Sequence, residues 1–201
     1  MPPLTGILKL TGLVAGTVPL AALAWAWETG QLGFMASEAL IHWLGNLGLG
    51  ALLLTLTLSP LSRLTGSYLP LVLRRQAGLW AFAYLVLHAL AWSFLDMGGD
   101  AALIRSELAE QRHLQLGLLC LLLLAPLALT SFRRAREWMG LLHWLRLHRL
   151  VYAAATGGVI HQAMVQKVLE WPTFLSASIL AVLLAYRIIG ALRRRPGSAG
   201  T

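Results

Sequence analysis

Leu79-Trp80-Ala81-Phe82-Ala83-Tyr84-Leu85-Val86-Leu87-His88 and Val151-Tyr152-Ala153-Ala154-Ala155-Thr156-Gly157-Gly158-Val159-Ile160-His161 each carry a histidine deep into an apolar run. Both runs belong to stretches long enough to cross a membrane. An ionisable side chain in hydrocarbon is costly, so its presence there marks a functional site. Imidazole is also a neutral nitrogen ligand suited to haem iron. A third histidine, His148, stands thirteen residues before His161 on what reads as one helix. At a rise of about 1.5 Å per residue the two are about 20 Å apart, two-thirds of a bilayer core. Ligand positions at two depths predict an electron path across a membrane.

The composition agrees. Of 201 residues, 58% are hydrophobic and 12% charged, with mean hydropathy +0.70. Soluble domains carry about a quarter charged residues, so the chain reads as an all-α integral membrane bundle forming one domain over 1–201. Six spans are expected, near 7–27, 39–58, 77–95, 113–131, 148–166 and 173–192. The first is too long for the apolar core of a cleaved signal. With the N-terminus inside, thirteen basic residues face inward and three outward, while seven of eight acids face outward. The positive-inside rule then gives N-in, C-in. The net charge of +8 is thus a topology signal and a contact for anionic lipid, and nucleic acid is not expected as a partner. Segment 101–111 reads as an amphipathic helix on the membrane surface with Leu103 and Leu108 down. Pro60, Pro70, Pro126 and Pro172 read as helix punctuation, with a kink at Pro126. The tail after Arg195 reads as disordered. The single Cys120 reads as a buried apolar residue, and no Cys-x-x-Cys-His is present for covalent haem attachment. No soluble flavin or nucleotide module is evident, so another protein or a diffusible carrier must exchange electrons with the chain.

The histidines differ in weight. His88 has no acid in its span to pair with, and a metal fits better than the alternative, a bond to a neighbouring helix. It lies fourteen residues past Arg74 and His161 twelve past Arg149, at the inner edges of their spans, so the two share a depth and can bridge one iron. His148 sits lower, as a ligand or an interfacial residue. The residue thirteen before His88 is Arg75, so His148 lacks a histidine partner on the third span. Gly157-Gly158 either admits a flat macrocycle or packs helices closely. His42, at the outer edge of the second span, is a weaker cofactor candidate. His143 reads as interfacial, His113 opens the fourth span, and Met164, three residues past His161, reads as a gap filler rather than an iron ligand. Arg74, Arg75, Arg146 and Arg149 either pair with haem propionates or a flavin phosphate, or only set topology.

Arg74 through Tyr84 with Leu87-His88, and Trp144, Leu147-His148, Val151-Tyr152 and Ile160-His161, resemble the ferric reductase-like transmembrane family. His42 with Gly45, and Thr57, Ser59-Pro60-Leu61 closing the second span, extend the similarity over nearly the whole chain. The resemblance implies a b-type haem protein of the bacterial inner membrane, with His88, His148 and His161 on haem-ligand positions. Relatives with two histidines on each of the third and fifth spans hold two haems. The inner one of the third span is missing here, so the chain carries one haem b or two. The resemblance further implies FMN binding and a cytoplasmic flavin reductase or quinol as donor. The acceptor it implies is a periplasmic molybdopterin enzyme that reduces methionine sulfoxide in envelope proteins. The chain then has no substrate-transforming site of its own. The rival readings are a cytochrome b or ferric reductase subunit with another acceptor, and a haem-free transporter or assembly factor.

Overall fold

The computed structural model describes residues 2–166 and 170–193. Lys167, Arg194, Arg195 and the tail expected to be disordered lie outside them. The described residues are helical or in loops: α1 (Pro2–Glu28), α2 (Ala36–Thr65), α3 (Leu69–Ala91), α4 (Ala101–Glu110), α5 (Arg112–Leu129), α6 (Arg133–Met139), α7 (Leu141–Leu147), α8 (Leu150–Val165) and α9 (Trp171–Leu192). Backbone polar groups in hydrocarbon have no water to bond, and the helix satisfies them within one segment. Five helices are long and apolar enough to cross a membrane: α1, α2, α3 with its extension, α5 and α9.

The core forms around α2 and α8. Leu49, Leu52, Leu53 and Leu56 of α2 pack with Ala154, Ala155 and Val159 of α8, with Leu124 and Leu127 of α5, and with Leu180 and Leu183 of α9. The outward faces are apolar too. Leu10, Leu122 and Val182 are each 60% exposed or more, a surface that suits lipid and not water.

Two expectations need correction. His148 and His161 do not share one helix. His148 closes α7 and Arg149 opens α8, with Arg149 N–H bonded to Arg146 O and Tyr152 N–H to Arg149 O, the three-residue steps of a tight turn. Apolar residues continue through this joint, so the sequence reads across it. Pro60 does not end α2, which runs five residues further and stops at Gly66 with φ 64°. Proline has no N–H, so Leu56 O loses its helical partner; Arg187 Nη2 from α9 donates to it instead, at 3.3 Å. In α4, capped by the Asp100 carboxylate on Ala102 N–H and Leu103 N–H, Ile104 and Leu108 line the central cavity and Leu103 is 41% exposed. Pro70 and Pro172 do sit at helix starts, and Pro126 lies inside the last turn of α5.

Beyond Ala91, α3 continues as a π-helical turn, Trp92–Asp96, with Met97 N–H bonded to Trp92 O. One extra residue per turn changes the direction in which side chains project, and Trp92 and Ser93 come to line the central cavity.

The first helix docks on α3 through absences of side chain. Gly16 is buried under the Trp80 indole, and Tyr84 Oη donates to Gly16 O at 2.6 Å. Gln76 Nε2 donates to Lys9 O at 2.7 Å two turns away. A methyl group at Gly16 would overlap the indole. We expect Gly16→Ala to cost about 1–3 kcal/mol by overpacking and to lower the thermal unfolding midpoint in detergent by several degrees. Gly6→Ala, with no heavy atom within 4 Å, should leave it unchanged. An unshifted midpoint for Gly16→Ala would mean that α1 is not seated on Trp80.

Candidate functional site

His88 projects from α3 towards α2. A ring N–H in apolar surroundings needs an acceptor. Nδ1 lies 2.8 Å from Ile41 O, an atom that can only accept, so Nδ1 carries the proton. The ring lies over Gly45, where a Cβ would come within 3.1 Å of Nδ1. His161 of α8 repeats the arrangement against α5. Its Nδ1 donates to His113 O at 2.7 Å, and its ring lies over Gly117, where a Cβ would come within 3.0 Å of Cε1. In both places the accepting carbonyl belongs to the residue four before the glycine. One helical turn supplies the acceptor and the bare patch together.

With Nδ1 protonated, Nε2 of each ring keeps its lone pair. The two rings line the same cavity, with centroids 6.2 Å apart and planes at 83°. A metal–nitrogen bond of about 2.0 Å, with half a ring behind each nitrogen, puts two axial imidazoles about 6 Å apart, centroid to centroid. Among the described residues no three His, Cys, Asp or Glu side chains gather to hold a bare ion. Two opposed histidines instead suit a metal that brings its own equatorial ligands, as a porphyrin does. Leu49, Leu52, Leu121, Leu124, Ala154 and Gly158 make the cavity walls apolar. His42, Trp92, Ile104, Leu108 and Glu170 surround its acidic end, where Gln162 Nε2 donates to Asn46 Oδ1 at 2.9 Å.

The other expected residues fall in different places. His42 is exposed at the mouth of the cavity. His148 lies outside it, at the basic end, stacked on Trp144 at 3.9 Å with Nδ1 3.0 Å from Trp144 O. Arg74 is half-buried at that end, while Arg75, Arg146, Arg149 and His143 are exposed. Met164 is 46% exposed and fills no gap. The glycine pair divides its work. Gly157 packs against Cys120 of α5, and Gly158 faces Leu49 and the cavity. Cys120 is buried, as its leucine surroundings predict.

Sequence reading undervalued His113, Asn46 and Gln162. His113 supplies a backbone acceptor and brings its own ring within 6.1 Å of His161. The signal was present: position 113 stands four before Gly117 as position 41 stands four before Gly45. Asn46 and Gln162 are amides beside Gly45 and His161, in runs otherwise apolar.

Residues 33–159 match the family model described as ferric reductase like transmembrane component. A Rhodospirillum rubrum protein is 38% identical over 93% of this chain and 90% of its own length. Relatives from Yersinia pseudotuberculosis (37% identical, 90% of this chain and 91% of the relative) and Caulobacter vibrioides (36%, 85% and 81%) are similar as well. All three are named as the haem-binding subunit MsrQ of protein-methionine-sulfoxide reductase. No solved structure matches the chain.

The two glycines generate a prediction. Gly45→Ala and Gly117→Ala should each push one imidazole off its carbonyl and lower haem content or shift the Soret band. Gly50→Ala, with nothing within 4 Å, should do neither. Wild-type spectra in both variants would show that the rings do not depend on these bare patches.

Proposed function

The chain belongs to the ferric reductase-like transmembrane family, in the company of the MsrQ haem-binding subunits, and from that premise we propose that it is a b-type haem electron-transfer subunit of a methionine sulfoxide reductase system. The reading places it in the bacterial inner membrane as a single six-span domain, N-in and C-in, with α8 completing the set. Electrons arrive from a cytoplasmic flavin reductase or from quinol. They leave to a periplasmic molybdopterin partner of the MsrP kind, which repairs oxidised envelope proteins. The chain itself transforms no substrate. The observation that carries the reading is the His88–His161 pair, two imidazoles with ring centres 6.2 Å apart on the lining of one cavity.

His88 and His161 would hold the haem, which supplies one-electron chemistry when bound. The chain's own residues do the rest. Ile41 O and His113 O fix the tautomer of each ring and strengthen Nε2 as a ligand, because a donated Nδ1–H leaves more charge on the opposite nitrogen. Ligation by both histidines would leave no open position for oxygen, which favours electron transfer over oxygen chemistry. The leucine walls keep water out and the dielectric low. His148 and Arg74, with an FMN phosphate as a further candidate ligand, belong to the arrival side, nearer the basic end. His42 belongs to the departure side, at the mouth.

Purified protein should show a low-spin b-type spectrum whose haem is extracted by acidic acetone, since no thioether holds it. We expect His88→Ala and His161→Ala each to lose that low-spin signal. His113→Ala keeps the backbone acceptor, and His42→Ala removes only a residue at the mouth, so both should retain most of it. A full, unshifted spectrum in His88→Ala, or a colourless wild type from haem-replete cells, would sink the reading.

A further inference from the structure

Each imidazole of the pair is fixed to a backbone, and the two backbones that matter are α2 and α8. His88 is held on α2 by Ile41 O and Gly45, while His161 projects from α8 itself. The distance between the rings therefore follows the register between α2 and α8. Asn46 stands one residue beyond Gly45, and Gln162 one beyond His161. Successive residues of a helix point about 100° apart, so each amide looks past the imidazole's contact towards another neighbour. Here that neighbour is shared: Gln162 Nε2 donates to Asn46 Oδ1 at 2.9 Å. Hydrogen bonds then link four helices in order: His88 of α3 to α2, α2 to α8, and His161 of α8 to α5.

Elsewhere α2 and α8 meet through leucines and small residues, as where Leu49 lies over Gly158. Such contacts have no direction and do not by themselves fix register. The amides carry a cost that leucine would not. Gln162 Oε1 is buried with no partner among the described residues, and a buried carbonyl oxygen without a donor is unfavourable. What the pair contributes in return is a fixed geometry between the helices. It also stands in a wall. Both amides line the central cavity and a second cavity between α2, α8 and α9. Leu54 and Leu175, 51% and 47% exposed, border that second cavity, so it opens at the side of the bundle.

We propose that Asn46 and Gln162 are positioning residues of the haem site: their hydrogen bond sets the spacing of His88 and His161 and closes the haem cavity on its α9 side. The inference rests on the assignment of those two histidines as axial ligands. With the bond made, the register of α2 and α8 keeps both rings at one iron. Without it α8 slides on leucine, and one ring leaves its place while the haem stays bound by the other.

Carbon monoxide tests this. A ferrous haem with two imidazoles offers it no position, and one that has lost an imidazole does. The full chain is purified with haem, reduced and titrated with carbon monoxide, and the oxidised form is examined by EPR. We expect Asn46→Leu and Gln162→Leu to keep their haem, to bind carbon monoxide in a several-fold larger fraction than wild type, and to shift the low-spin EPR signal. Asn46→Asp keeps an oxygen acceptor at the same place and should restore wild-type behaviour. Ser176→Ala, which borders the second cavity away from the bond, should match wild type. Asn46 is exposed, so its two variants carry the comparison should Gln162→Leu fail to fold. Wild-type carbon monoxide binding and EPR in the leucine variants that fold would overturn the proposal and leave the axial pair standing. So would a change as large in Asn46→Asp or Ser176→Ala as in Asn46→Leu. A wild type without low-spin haem would instead remove the axial pair, and the proposal with it.

Discussion

A buried imidazole in this bundle has to place one N–H where there is no water, and the backbone of the facing helix is what receives it. Helical carbonyls are already engaged by the amide four residues on, so they accept a second bond only if the donor can come close. Glycine permits that approach. Gly45 beside Ile41 O and Gly117 beside His113 O let the rings of His88 and His161 lie almost against the helix. The acceptor sets which nitrogen is protonated, and the protonated nitrogen sets which one keeps its lone pair.

That constraint organises the packing around it. The histidine helices α3 and α8 each face a glycine-bearing partner, α2 and α5, and the two pairs meet across the leucine core. Asn46 and Gln162 tie α2 to α8 near the acidic end. The histidine spacing thus rests on helix contacts of the same kind on both sides. A shift of either pair would open the distance on which an axial arrangement depends.

Much of this was legible in the sequence, for a physical reason. Lipid forces helices, helices force long apolar runs, and an imidazole inside such a run stands out. His88 and His161 could be set at a common depth by counting from Arg74 and Arg149, because a helix has a fixed rise. What counting could not give was the joint at His148–Arg149, where the backbone changes step while the apolar pattern continues. Pro60 misled in the same way. Its missing bond was expected to end α2, and a side chain distant in sequence takes the carbonyl instead. Arg187 was read only as a topology charge, since nothing local to it reveals the vacant acceptor on α2.

The sixteen residues of α8 rise about 24 Å, some 6 Å less than a hydrocarbon slab of about 30 Å. Flanking helices shield it, so its ends need not reach the headgroups on both sides. A helix relieved of spanning the slab alone can take the length its contacts ask for, from the turn at Arg149 to the His161 ring and the Gly157–Cys120 seam.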